Sequence, residues 1–119
     1  MADFISTFQS VEETLRSAAG SIMSKFDQMT FRMLVSNLKS TDRQTVLDTL
    51  KQLEEEKRSI SIPPIFCLSV AHPDKVIRLA AKNALSKLDT DGEVEKLTSG
   101  KEPEAAVKLL IEKFGNFKQ

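Results

Sequence analysis

The chain has no tryptophan and no tyrosine, one cysteine, one histidine, four glycines and four prolines in 119 residues. Each scarcity excludes a class of chemistry. A single thiol, Cys67, forms no internal disulfide and no structural zinc site, and its apolar setting Ile65-Phe66-Cys67-Leu68 predicts burial as a small hydrophobe. The lone histidine, His72, removes paired-histidine metal motifs and repeated His-Glu pairs, and its place before Pro73 predicts an exposed turn residue. Tyr and Trp, the polar-tipped aromatics, are missing, which leaves Phe66 and Phe114 as the candidates for stacking on a ligand. Gly92 and Gly100 stand alone and build no phosphate-cradling loop.

Charge of one sign is absent as well, because seventeen basic residues balance seventeen acidic ones. The first forty residues repeat that balance, with Asp3, Glu12, Glu13 and Asp27 against Arg16, Lys25, Arg32 and Lys39. Nucleic acids reward clustered cations, so no nucleic-acid partner is expected. No apolar run approaches the roughly 20 residues of a membrane span, and the acidic N-terminal segment does not read as a signal peptide. Glu54, Glu55 and Glu56 are consecutive, so they radiate around a helix instead of pairing across a cleft. The sequence therefore predicts a cytoplasmic protein that is not an enzyme and carries no cofactor or metal.

What is present is helical periodicity. Phe4, Phe8, Val11, Leu15, Ala18, Ile22 and Phe26 form one stripe, which predicts a long first helix within residues 1–27. Ser10 with Glu13 has the form of a capping box, so the ordered helix begins either near residue 10 or, with the stripe, near residue 4. Thr30 is a candidate cap for a helix bearing Phe31, Leu34, Val35 and Leu38. Ser40-Thr41-Asp42 then turns into a helix with Val46, Leu47, Leu50 and Leu53 on one face. Pro63 and Pro64 suit the first turn of a helix carrying Ile65, Phe66, Leu68 and Val70, and Pro73 ends it at His72. Asp74 caps a helix whose expected inward residues are Val76, Ile77, Ala80, Ala81, Ala84, Leu85 and Leu88. A short helix at Val94–Leu97 and a last one through Ala106, Val107, Leu110 and Phe114 follow, with Gly115 as C-cap and 115–119 as a tail.

These helices pair into three candidate hairpins, residues 30–56, 61–88 and 92–114, within a single domain. In the middle one, Pro73 and Asp74 occupy the turn, Ile77-Arg78 forms an apolar–arginine pair, Ala80, Ala81 and Ala84 are small, and Leu85 and Leu88 close the pattern. That segment, His72 to Leu88, resembles the second helix of a HEAT repeat. The first hairpin lacks the alanines and the last lacks the arginine, so the specific likeness covers about 17 residues. The resemblance implies an all-α fold, a short right-handed stack of helical hairpins (a HEAT-like α-solenoid) with the long N-terminal helix as its cap. An irregular helical bundle is the alternative.

It also implies where a partner docks. In such solenoids the second helix of each pair lines the inner face, which places Lys75, Arg78 and Lys82 on the docking surface; periodicity adds Arg43 and Lys51. Arg78 has an alternative structural role, pairing with Asp74 to hold the turn. The expected function is a noncatalytic adaptor that binds a protein partner on this positive ridge. Self-association or membrane-surface attachment through Phe4, Ile5 and Phe8 is a second expectation, although only Arg16 and Lys25 stand ready to meet lipid. Some HEAT-like proteins handle pigments or other small molecules, and that is the third.

Overall fold

The helix after Ser61 is the hub of the molecule, and its sequence explains why. Ile62 to Ser69 are all buried, including Pro63, Pro64 and Cys67. A helix that is apolar on every side must be surrounded. The computed structural model describes residues 4–19, 25–57, 61–89 and 92–114, and within them it is all-α. Its helices are α1 (Phe4–Ala19), α2 (Lys25–Asn37), α3 (Arg43–Glu56), α4 (Ile62–Ala71), α5 (Lys75–Leu88), α6 (Glu93–Thr98) and α7 (Pro103–Phe114). Helices α1, α5 and α7 all pack on α4, α3 packs on α5, α2 bridges α1 and α3, and α6 packs on α7.

Local signals set most boundaries. Asp42 is extended and its carboxylate accepts the Thr45 amide at 3.1 Å, opening α3. Asp74 does the same for α5, accepting the Val76 amide at 2.9 Å. Pro63 and Pro64 sit in the first turn of α4, where amides are unbonded anyway. His72, ahead of Pro73, is extended and stops that helix. At the end of α3, Lys57 adopts the left-handed conformation at φ 53° and returns its amide to the Leu53 carbonyl at 3.2 Å.

The sequence allowed the first helix to start near residue 4 or near residue 10, and α1 takes the earlier start, while Phe26, expected on the same helix, falls in α2. Helix α1 starts at Phe4, which leaves Ser10 and Glu13 inside it. Thr30 lies within α2, which begins at Lys25. The physical reason is long-range packing: Phe4 finds a buried seat against Phe8, with ring centroids 5.4 Å apart, and against His72. The expected stripe residues Leu15, Ala18, Ile22 and Phe26 lie outside the described side chains, as do Phe114 and Gly115.

Two ion pairs fix how α3 and α5 lie together. Arg43 meets Asp74 at 2.7 Å where both helices begin, and Glu54 meets Lys87 at 3.3 Å where both end. The helices therefore run parallel, side by side. Lys39 on Glu12 at 2.6 Å ties α1 to the segment after α2, and Lys113 on Glu93 at 3.3 Å ties α7 to α6. The radius of gyration is 12.9 Å, close to the roughly 13.5 Å expected of a single compact domain of this length. Among the described residues no helix is long and apolar enough to cross a membrane.

Candidate interaction surface

Helix α5 carries more apolar residues than its inner face accommodates. Ile77, Ala81, Ala84 and Leu85 point into the core. At about 100° per residue the opposite direction falls on Leu79, with Lys75 and Lys82 one turn to either side. All three are exposed, Leu79 to 60%. Val76, expected inward, is 46% exposed, because it stands a quarter-turn from Ile77, on the flank shared with Lys87. Val70, near the end of α4, is likewise exposed.

On α3, Val46, Thr49, Leu50 and Leu53 are buried. Arg43, Leu47 and Glu54 share the flank toward α5 by helical period, and Lys51 stands beside them facing solvent. The parallel pair thus presents one surface made of Lys51, Lys75, Val76, Leu79 and Lys82. Among the described residues, no ion pair holds Lys51, Lys75 or Lys82.

The two arginines expected on this surface are engaged within the molecule. Arg43 gives its Nε–H to Asp74 at 2.7 Å, and that bond is the main reason the Asp74 carboxyl is held below the ordinary carboxylate value. Arg78 does not pair with Asp74. Its guanidinium donates to the His72 carbonyl at 2.7 Å instead, because the Asp74 carboxylate already serves Val76 and Arg43.

His72 corrects a second expectation. It is buried, with 8% of its surface exposed, where an exposed turn residue was predicted. Its ring lies 4.7 Å from that of Phe4, and Nδ1 accepts the Asp74 amide at 2.9 Å. Burial lowers its pKa, Asp74 pulls the other way, and Arg78 reinforces the decrease. Cys67 is fully enclosed, and desolvation alone pushes its thiol up to about 12. Of the apolar trio in α1, Phe4 and Phe8 are in the core and Ile5 is 43% exposed.

Comparison with known proteins gives no match: no family model, no curated protein and no solved structure resembles the chain. Among the described residues, no three His, Cys, Asp or Glu side chains gather as metal ligands do. Sequence reasoning passed over Leu79, and also Met29 and Met33, which project into solvent from α2 at 68% and 57% exposure. The signal was available, since each lies opposite its helix's buried stripe.

Proposed function

We propose that this protein is a noncatalytic interaction module that docks a protein partner on the outer face of α3 and α5. The observation that carries the reading is Leu79, exposed on α5 between Lys75 and Lys82, neither of them held by an ion pair among the described residues. Covering its remaining exposed surface is worth about 1–2 kcal/mol, and the lysines select a partner with carboxylates around an apolar residue. The parallel run of α3 and α5 favours treating them as second helices of successive HEAT-like hairpins, with α1 as the cap. On that reading Lys51, Lys75 and Lys82 contact the partner, while Arg43 and Arg78 hold the surface in shape. The balanced total charge favours a protein partner over nucleic acid, and the module needs no cofactor. The lone buried cysteine fits residence in the reducing cytoplasm.

Affinity purification from native extract, followed by native mass spectrometry, tests this. A stoichiometric protein should accompany the wild type and be lost from both Lys75→Glu/Lys82→Glu and Leu79→Asp. All three substituted residues are exposed, so the fold should survive. A partner retained by both variants would move the docking surface elsewhere. Self-association through Phe4, Ile5 and Phe8 first requires the start of α1 to leave the core, since Phe4 and Phe8 are buried.

A further inference from the structure

His72 joins α1, the α4–α5 turn and, through Asp74, the start of α3. The Phe4 ring covers the imidazole at 4.7 Å with the planes tilted by 59°. The Asp74 amide donates to Nδ1 at 2.9 Å, and the His72 carbonyl accepts from Arg78 at 2.7 Å. Asp74 in turn holds Arg43 at 2.7 Å. Because an amide N–H points at Nδ1, the ring is bound neutral, with its single proton on Nε2. A proton on Nδ1 would turn the acceptor into a donor facing another donor. It would also place a charge under Phe4, in a site from which water is largely excluded.

We propose that His72 is a proton-operated latch for α1: the neutral ring seats Phe4 against the α4–α5 turn, and protonation releases the first turn of α1. This goes beyond the docking reading and does not depend on it.

The charges around the ring support a latch that stays closed at neutral pH. Two described groups act on it electrostatically, both from the start of α5. Asp74 favours the imidazolium, but its own charge is shared with Arg43 and the Val76 amide. Arg78 opposes it, and so does burial, the largest influence. From α1 the contact is Phe4, and the nearest described carboxylates on that helix, Glu12 and Glu13, lie two or more turns further along. Glu12 is also held by Lys39. With the folded-state pKa below the ordinary imidazole value, the closed form binds fewer protons than the open one. Each pH unit of acidification below about 6.5 then multiplies the open population by at most about tenfold, until the closed form itself titrates.

The Phe8 amide reports the latch, because by helical register it donates to the Phe4 carbonyl in the first closed turn of α1. Amide exchange of the whole chain is followed by NMR from about pH 7.5 to pH 5, a range that brackets the ordinary imidazole value. Rates are corrected for intrinsic pH dependence, and the His72 ring is titrated in the same samples. Protection of the Phe8 amide should fall as the pH drops below 6.5, by at most about tenfold per pH unit, with loss of the Phe4–His72 ring contact, while Leu50 in α3 keeps its protection. His72→Asn keeps a side-chain acceptor for the Asp74 amide and cannot be protonated, so in that variant the pH dependence should vanish. An aromatic face also attracts cations. If the imidazolium stays on Phe4, Phe8 remains protected while His72 titrates, and the latch is refuted. An equal loss of protection in His72→Asn refutes it as well.

Discussion

Asp42 and Asp74 perform the same capping task with different partners, and the difference predicts their response to acid. The Asp42 carboxyl is held below its ordinary value mainly by the Thr45 hydroxyl, at 2.6 Å, and then by the Thr45 amide. For Asp74 the main cause is the Arg43 side chain. A carboxyl with a depressed folded-state pKa adds stability that is present above its unfolded value, 3.8, and is lost as pH falls through the folded value. Asparagine caps a helix as well but carries no charge. Urea denaturation near pH 7 and again below pH 3.8 should therefore show a smaller acid-side loss for Asp42→Asn/Asp74→Asn than for wild type. An unchanged difference would mean that other groups dominate acid unfolding. Lys57 gives a prediction of the opposite sign. Its left-handed backbone strains any residue with a Cβ, and its side chain is exposed. Lys57→Gly should raise stability by about 0.5–1 kcal/mol, read as a higher urea midpoint at unchanged slope.

Elements depend on these residues in ways that the sequence showed unequally. Asp89 ends α5 by giving its amide to the Leu85 carbonyl at 2.8 Å. Its carboxylate then accepts the amides of Glu93 and Val94 at 2.9 and 3.0 Å, which starts α6. A six-residue helix has little intrinsic stability, so this double duty decides whether α6 forms at all. Asp89→Ala should cost about 1–2 kcal/mol and loosen α6 ahead of the rest, visible as faster amide exchange at Thr98; Asp89→Asn should cost less. Helices α3, α4 and α5 were legible because their signals are local: a capping aspartate, paired prolines, an apolar stripe. The start of α1 was left between two positions, because the stripe from Phe4 and the cap-like Ser10–Glu13 pattern compete, and the deciding contact, Phe4 on His72, comes from the far side of the fold. His72 was misjudged for the same reason. Of the candidate surface, the lysines could be read from periodicity, but the engagement of Arg43 and Arg78 could not, since it depends on how α3 and the His72 turn meet α5.

At the scale of the whole molecule, the central position of α4 sets how the protein comes apart. In a stack where each hairpin touches only its neighbours, an end unit can melt alone. Here α1 and α7, near opposite ends of the chain, both pack on α4 and on each other, and the molecule measures 34 by 31 by 27 Å. Loss of either terminal helix uncovers the same apolar core, so it should be coupled to loss of all the others. Cys67 makes this testable without an added probe. It sits inside α4, fully buried, with its thiol pushed up to about 12, so an alkylating reagent meets a reactive thiolate only after α4 is exposed. Phe8→Ala in α1 and Leu110→Ala in α7 each remove a fully buried side chain, at about 3–5 and 2–5 kcal/mol respectively. Each should accelerate Cys67 alkylation in step with its shift of the helical melt, because both helices pack on the one that carries the thiol. A melt that splits into two phases, with alkylation following only the second, would show that a terminal helix is held more loosely than its packing on α4 requires.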